Sequence, residues 1–230
     1  MFAKQIGRGI VAWVRAPHLP QKNNVMIKVL GNIPTSEFGL ACSGGVDSMA
    51  VLDFLRRSNY NPHVLYFNHN TEHGDDAEKF ITKYCEENGL SLFVGRTDQK
   101  PKSNKEKVWS DLRYKFFRSF DFPIVTCHHL DDCLETYIFT MTRGFQSVIP
   151  YRKENVIRPF LLTEKSEFES WCKRKNVPFI QDESNNSVEY SRNRIRHNII
   201  PELLKVNPGL KTVVKKMIKD YEQKHNTVYL

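Results

Sequence analysis

The sequence has few cysteines, and no two of them form a CxxC pair. The five are Cys42, Cys85, Cys127, Cys133 and Cys172. Their odd number and irregular spacing argue against a disulfide framework and against a zinc ribbon, and they favour a reducing compartment. Long apolar runs are also lacking: residues 10–14 are too short a run for a signal peptide, and no segment is long enough to span a membrane. We therefore expect a cytoplasmic protein.

What the sequence does have is an ordinary supply of core residues and an uneven positive charge. Forty per cent of its 230 residues are hydrophobic, including 15 Phe and 9 Tyr, which is enough for one sizeable domain. The net charge is +8, and from Tyr151 onward 16 Lys and Arg stand against 10 Asp and Glu. A basic segment of this kind suits a polyanionic partner such as nucleic acid, although basic tails can also serve solubility alone.

Short apolar runs alternate with segments of helical periodicity from residue 38 to residue 142. The patterns predict strands at 38–42, 63–67, 90–94 and 123–127, and helices at 48–57, 75–88, 105–120 and 131–142. This alternation predicts an α/β fold with a doubly wound, mostly parallel sheet. Ligands of such sheets bind at the carboxyl ends of the strands, where the strand order reverses.

The sharpest motif, Ser43-Gly44-Gly45-Val46-Asp47-Ser48, lies between the first predicted strand and the first predicted helix. Its glycines let the backbone turn tightly, and the helix start adds free N–H groups that suit phosphate. The lysine of a Walker A loop is absent. A glycine-rich turn with a capped helix is the alternative, but the whole hexapeptide in this context favours a nucleotide site.

A second motif, His129-Leu130-Asp131-Asp132-Cys133-Leu134-Glu135-Thr136, precedes Arg143-Gly144. Asp132 and Glu135 are three residues apart, so both project from one face of a helix, where they could bind a metal or an ammonium group. An acidic first turn, favoured by the helix dipole, is the alternative for Asp131 and Asp132. His128 and His129 follow a strand, but isolated histidines are more often packing or surface residues.

A third motif comprises residues 182–185, Asp-Glu-Ser-Asn, and the run from Tyr190 to Arg196. Three arginines within five residues could contact RNA phosphates, and they are Arg192, Arg194 and Arg196. A solvated basic helix face is the ordinary alternative.

Together these motifs resemble those of tRNA(Ile)-lysidine synthases, a family of the PP-loop ATP pyrophosphatase superfamily. SGGVDS is similar to the PP-loop, HLDDCLET followed by RG to the second signature, and the arginine-rich segment to the end of the catalytic domain. Arg113-Tyr114 and the RPFL segment from Arg158 match further parts of the family pattern. The resemblance covers about residues 38–205, with the motifs in family order.

The resemblance implies a Rossmann-like PP-loop fold and an ATP-dependent, tRNA-modifying ligase. ATP would adenylate the wobble cytidine of a minor isoleucine tRNA with a CAU anticodon, and free lysine would then displace AMP. The SGGVDS loop would hold the phosphates and Asp47 would bind Mg²⁺. Asp132 and Glu135 would receive lysine, Arg113 would assist near the substrates, and the three arginines of the third motif would contact RNA.

Charge and resemblance together predict four segments. These are an N-terminal extension at 1–37, a PP-loop core at 38–150, the basic end of the catalytic domain at 151–205 and a basic helical tail at 206–230. We expect the C-terminal segments to form a small helical subdomain. The resemblance implies a short form with the catalytic domain alone. Lys211, Lys215 and Lys219 share one helical face of the tail, which either grips RNA or packs on the core.

Some positions depart from the family pattern, namely Ser110, Cys133 and the residues that follow Gly144. Two other hypotheses therefore stay open. A thiolation enzyme would share the fold but generally needs paired cysteines or an iron–sulfur cluster. An inactive tRNA-binding module would explain the departures, although the intact SGGVDS argues against it.

Overall fold

The computed structural model describes residues 27–99, 101, 105–181 and 191–225. Residues 182–185 and Tyr190 of the third motif lie outside the described residues, as do residues 1–26 and 226–230. The SGGVDS loop, the second motif at residues 129–136 (the acidic motif) and all three arginines of the third motif lie within them.

Six strands in the described part of the chain form one sheet in the order β3-β2-β1-β4-β6-β5. In chain order they are β1 (Gly39–Ala41), β2 (His63–Asn68), β3 (Leu92–Arg96), β4 (Ile124–Val125), β5 (Arg152–Lys153) and β6 (Val156–Ile157). Neighbouring strands are parallel except β5 and β6, which form an antiparallel pair. The mostly parallel α/β sheet predicted from the sequence is confirmed.

Helices connect the strands and continue beyond them. They are α1 (Val46–Arg57), α2 (Glu72–Asn88), α3 (Lys105–Phe117), α4 (Leu130–Met141), α5 (Lys165–Lys175), α6 (Ser191–Arg194), α7 (Ile200–Val206) and α8 (Leu210–His225), with a π-helical turn at Ile195–Ile199. The first four match the predicted helices to within a few residues, and the helical C-terminal region is confirmed. The sequence does not predict β5 or β6, because two-residue strands are too short to show alternation. In the described part of the chain, no helix combines the length and the apolar character that crossing a membrane requires.

Helices cover both faces of the sheet. Leu40 and Val125 lie in one hydrophobic cluster with buried residues of α1, α2 and α5. Leu65 and Ile124 lie in another cluster with Phe117 of α3. Since successive strand residues point to opposite faces, the two clusters lie on opposite sides of the sheet. Burial of both faces is what a doubly wound parallel sheet requires.

The strand order reverses between β1 and β4. From β1 the chain moves outward through β2 and β3, and it then returns to place β4 on the other side of β1. The carboxyl ends of β1 and β4 therefore flank a crevice at a topological switch point, which is where ligands of such sheets bind. The SGGVDS loop follows β1 and the acidic motif follows β4, so the fold brings these two motifs to one crevice.

The end of the predicted N-terminal extension packs with the sheet. Ile27 and Val29 are buried in the same cluster as α1. The Lys28 N–H donates a 2.8 Å hydrogen bond to the Thr163 hydroxyl, which donates one of 2.9 Å to the Lys28 carbonyl. Residues 27–29 therefore contribute to the core, while the four predicted segment boundaries stay a prediction.

The last helix, α8, is docked on the core. Val214 and Ile218 are completely buried, in one cluster with residues of α4. The Lys211 ammonium lies 2.8 Å from Asp131 Oδ1 and 3.0 Å from Glu164 Oε2. These contacts support the packing alternative for the basic tail.

Candidate functional site

The loop between β1 and α1 has a closely defined backbone. Gly44 adopts a left-handed conformation with φ of 80°, and a Cβ atom added there would lie 3.2 Å from the Ile180 side chain. The Ser48 hydroxyl accepts a 3.2 Å hydrogen bond from the Ser43 N–H and donates one of 3.0 Å to the Gly45 carbonyl. Glycine is thus required at position 44 both by backbone conformation and by space.

The first turn of α1 offers backbone donors to a ligand. The N-cap residue is Gly45, which has no side chain to accept hydrogen bonds from the turn. The N–H groups of Val46, Asp47 and Ser48 have no partner within the helix, because the first amides of any α-helix lack one. Together with the positive end of the helix dipole, they suit an anion such as a phosphate group.

Asp47 presents a carboxylate oxygen to this crevice. Its Oδ1 is buried and receives no hydrogen bond from any described residue. A buried, unpartnered carboxylate oxygen beside phosphate-binding amides fits Mg²⁺, which is usually held by one or two carboxylates together with phosphate oxygens. Within the described ranges, no group of three His, Cys, Asp or Glu side chains is placed to hold a metal.

His129 links Asp47 to the start of α4. In its buried imidazole, Nε2 lies 3.6 Å from Asp47 Oδ2 and Nδ1 lies 3.5 Å from Asp132 Oδ2. The Asp132 carboxylate also accepts a 2.9 Å hydrogen bond from the His129 N–H, which caps the helix. Burial lowers the pKa of His129, but the charges of Asp132 and Asp47 outweigh it and hold that pKa above its usual value.

The sequence favours a packing or surface role for His129, and the structure adds this bridging position. The signal that could have identified it is the spacing His129-x-x-Asp132. A side chain that caps a helix, with an acidic residue three positions later, is the pattern of a capping box.

Glu135 is held by two arginines of the third motif. Its side chain is 4% exposed. Arg192 Nη1 donates to Oε1 and Arg196 Nη2 donates to Oε2, each at 2.7 Å. Arg196 also lies 3.6 Å from Asp132 Oδ1. The predicted acidic pair and two of the predicted RNA-binding arginines therefore form one ion-pair cluster.

Arg194, the third predicted RNA-binding arginine, has a different environment. It is exposed and lines a surface pocket with Phe139 and Arg143. Arg194 thus presents its charge at the surface, whereas Arg192 and Arg196 hold a buried carboxylate.

Arg113 of α3 acts on two histidines at the carboxyl edge of the sheet. Burial lowers the pKa of His69 to about 4, and the Arg113 charge adds to this effect. Burial also lowers the pKa of His128 to about 4, with Arg158 and Arg113 contributing. Both imidazoles are therefore neutral at physiological pH, and the Arg113 charge acts on the ends of β2 and β4.

The five cysteines are free thiols. Burial raises the pKa of Cys42, Cys127 and Cys133 above the ordinary value for a thiol. Because the thiolate is the reactive form, these environments do not favour nucleophilic chemistry at sulfur.

Comparison with known protein families agrees with this geometry. A family model described as the PP-loop domain matches residues 19–203, which is most of the chain. The chain belongs to the PP-loop family. Family membership implies use of ATP.

Curated relatives point to one group within the PP-loop family. The chain is 30% identical over 218 residues to the tRNA(Ile)-lysidine synthase of Pseudothermotoga lettingae, covering 80% of this chain and 49% of that protein. It is 30% identical over 215 residues to the tRNA(Ile)-lysidine synthase of Lactiplantibacillus plantarum, covering 85% of this chain and 47% of that protein. The chain thus spans about half the length of the curated relatives it matches.

Among solved structures, the PP-loop fold recurs in the U34-tRNA thiolase NcsA from Methanococcus maripaludis with its [4Fe-4S] cluster. The TM-score is 0.63 at 18% sequence identity, with 83% of this chain and 72% of that chain covered. At this identity the likeness establishes the fold alone.

Proposed function

We propose that this chain acts as a tRNA(Ile)-lysidine synthase in the cytoplasm. The observation that carries the proposal is the bridge from Asp47 through His129 to Asp132, because it sets the acidic motif beside the phosphate loop. A site of this kind can activate one substrate with ATP and hold a second, cationic substrate next to it. The similarity to the two curated lysidine synthases supports this activity.

The first step is adenylation of the wobble cytidine in an isoleucine tRNA with a CAU anticodon. The C2 oxygen attacks the α-phosphorus of ATP, the bond to the bridging oxygen of the β-phosphate breaks, and pyrophosphate leaves. The amides of the first turn of α1 hold the phosphates, and the Ser43 and Ser48 hydroxyls flank them. Mg²⁺, held by Asp47, would supply charge neutralisation at the phosphates. The chain itself contributes mainly positioning and preorganised donors.

The second step joins lysine to the activated base. The ε-ammonium first loses a proton to solvent, and the resulting amine attacks C2. The bond from C2 to the adenylated oxygen breaks, AMP leaves with that oxygen, and the nitrogen loses a second proton to solvent. Asp132 and Glu135 receive the lysine ammonium group. Because Glu135 is already paired with Arg192 and Arg196, lysine would share this carboxylate with them. Arg113 assists near the substrates through its charge.

Three arginines are proposed to face RNA, namely Arg192, Arg194 and Arg196. Arg194 is exposed and suited to a phosphate contact. Arg192 and Arg196 would contribute at the edge of the Glu135 cluster, where their side chains are about one-third exposed.

The direct test is incubation of the purified chain with unmodified isoleucine tRNA, ATP and radiolabelled lysine. The expected result is label in the tRNA that depends on ATP, with release of AMP and pyrophosphate. The matched control replaces the CAU anticodon with GAU, which removes the reacting wobble cytidine. Absence of label with folded protein would contradict the proposal. An absorption spectrum typical of an iron–sulfur protein, with sulfur entering the tRNA, would favour thiolation.

A further inference from the structure

A surface pocket lies beside the Glu135 cluster, at the carboxyl-terminal end of α4. It has a volume of about 330 Å³, near the lower end of the range for small-ligand sites. Its walls come from α4 and from the segment 191–199. Its lining includes Phe139, Thr142, Arg143, Arg194, Ile195 and Ile199.

The pocket combines an aromatic ring with positive charge. The Arg143 guanidinium lies 4.1 Å from the centroid of the Phe139 ring, within the range of a cation–π contact. Arg143 and Arg194 are both exposed, and no described residue that lines the pocket carries a carboxylate. A ligand that offers both a planar ring and a negative charge matches these walls.

The turn that carries Arg143 is held in place. The Arg143 N–H donates a 2.9 Å hydrogen bond to the Thr140 carbonyl, and the Gly144 N–H donates one of 3.1 Å to Met141. The Ser147 N–H donates to the Thr140 hydroxyl at 3.1 Å. The departure from the family pattern after Gly144 therefore still yields an ordered turn, and Arg143 is positioned before any ligand arrives.

The pocket adjoins the proposed reaction site through a shared residue. Arg192 pairs with Glu135 at 2.7 Å, and its guanidinium lies 4.9 Å from the centroid of the Phe139 ring. Glu135 and Phe139 are four residues apart on α4, so they lie on the same helical face. A group bound against Phe139 would therefore lie next to whatever occupies the Glu135 cluster.

We propose that this pocket binds a nucleotide of a single-stranded RNA loop, next to the base that reacts. The base stacks on the Arg143 guanidinium, which lies over the Phe139 ring, and Arg194 contacts the phosphate. Single-stranded RNA is recognised in this way, by bases stacked on aromatic rings or guanidinium planes with cationic contacts to the backbone. The inference rests on the proposed function, because it takes tRNA as the substrate.

The test measures binding of a fluorescent anticodon stem-loop, and of a blunt RNA duplex of equal length, across a range of salt concentrations. The variants are Arg143→Gln, Arg194→Gln and Phe139→Leu, with Lys83→Gln on α2 as a control of equal charge change. Lys83 is exposed and outside the pocket. Circular dichroism confirms folding, and Mg-ATP binding is measured alongside.

Each arginine variant should weaken stem-loop binding about fivefold to tenfold and flatten the slope of log affinity against log salt by about 0.7. Phe139→Leu should weaken it by about tenfold, because the ring that holds the Arg143 guanidinium in its stacking position is lost, with little change of slope. In the three pocket variants, the affinities for Mg-ATP and for the duplex should change by less than about twofold, since neither ligand involves the pocket. The stem-loop affinity of the Lys83→Gln control should also change by less than about twofold.

Equal losses on stem-loop and duplex would overturn the proposal in favour of general electrostatic attraction. Unchanged stem-loop binding would overturn it in favour of a protein partner for this surface.

If Phe139→Leu does not fold, a photo-crosslinking loop nucleotide beside the wobble base gives a second readout in the unaltered chain. A crosslink within 139–145 or 191–199 supports the pocket, and one elsewhere contradicts it. Lysine incorporation into tRNA is measured separately. If the chain incorporates lysine but the pocket variants bind the stem-loop normally, only the pocket proposal is refuted. If the pocket variants lose stem-loop binding but the unaltered chain incorporates no lysine, only the proposed function is refuted.

Discussion

Arg192 donates a 2.7 Å hydrogen bond to Glu135, a buried residue that lies 57 positions earlier in the chain. A buried carboxylate without a cationic partner strongly destabilises a fold. The ion pairs of Glu135 with Arg192 and Arg196 therefore hold the segment 191–199 against α4. The same carboxylate is the proposed receiver of lysine. Substrate binding and the position of the arginine segment are therefore coupled at Glu135.

Replacing Glu135 with Gln should weaken lysine use far more than ATP use. A desolvated carboxylate facing an ammonium group contributes on the order of 2–5 kcal/mol, so KM for lysine should rise at least about 30-fold. Steady-state kinetics with each substrate varied in turn measure the split, and Glu169→Gln on the exposed face of α5 is the control. Unchanged lysine affinity with lower thermal stability would mean that Glu135 only anchors the arginines. A selective loss of ATP affinity would make it a nucleotide or metal ligand.

The change Asp47→Asn should abolish turnover and leave the fold intact. The carboxylate oxygen Oδ1 has no partner among the described residues, and an Asn side chain keeps an oxygen that can face His129, whereas Mg²⁺ needs the charge. We expect a loss of at least about 100-fold in pyrophosphate release, because metal-assisted charge stabilisation supplies several kcal/mol. Thermal unfolding checks the fold. A rate close to that of the unaltered chain at saturating Mg-ATP would refute the metal-binding role.

Two glycines with similar left-handed backbones separate a functional requirement from a conformational one. At Gly44 a Cβ atom would meet Ile180 and Phe80 at 3.2–3.3 Å, whereas at Gly89 no atom lies within 4 Å. Each Ala variant should lose about 1 kcal/mol of stability because φ is positive, and Gly44→Ala should lose more because Ile180 and Phe80 must shift. Gly44→Ala alone should also abolish Mg-ATP binding, measured by titration calorimetry. Equal ATP binding by both variants would argue against the loop as the phosphate site.

The buried face of α8 should contribute to stability, and its exposed face should not. Ile218 is completely buried and Val213 is 45% exposed on the same helix. Ile218→Ala should therefore cost about 2–5 kcal/mol in the free energy of unfolding, and Val213→Ala within about 0.5 kcal/mol. Urea titration measures both. Equal small effects would mean that α8 does not pack as described, and the alternative of a basic tail free to grip RNA would return.

The ion pairs between α8 and the core should make stability depend on acid pH. Burial raises the pKa of Asp131, but the Lys165 amide and the Lys211 ammonium lower it more, so the pKa ends below its ordinary value. The pKa of Glu164 is likewise held low, because Lys215 and Lys211 outweigh burial. A carboxylate with a depressed folded-state pKa stabilises the fold above its unfolded pKa, and this contribution is lost as pH falls through the folded value.

Lys211→Met should therefore lower stability at pH 7 by about 1–3 kcal/mol, as expected for partly buried pairs. The difference from the unaltered chain should shrink as pH falls below about 4 and the carboxylates become protonated. Urea unfolding at neutral and acid pH tests this, with the exposed Lys216→Met as control. A difference independent of pH would show that Lys211 acts through its aliphatic stem alone.

The sequence alone determined the features that depend on neighbouring residues. The SGGVDS loop could be placed after a strand and before a helix, because its glycines, its serines and the helix start act within six consecutive positions. The common face of Asp132 and Glu135 followed from their spacing, since helical geometry sets it. The four alternating strand and helix pairs gave the fold class for the same reason, because periodicity is a local property.

Only the tertiary structure decided which distant groups meet. Spacing placed Lys211 and Lys215 on one helical face, but it could not show that this face meets Asp131 and Glu164. In the same way, the arginines of the third motif could bind RNA or pair with a buried carboxylate. The packing of residues 191–199 against α4 brings Arg192 to Glu135 and leaves Arg194 at the surface. The physical reason is that a charged side chain takes its role from the partner within hydrogen-bonding distance. Sequence separation carries no information about that distance once helices pack in three dimensions.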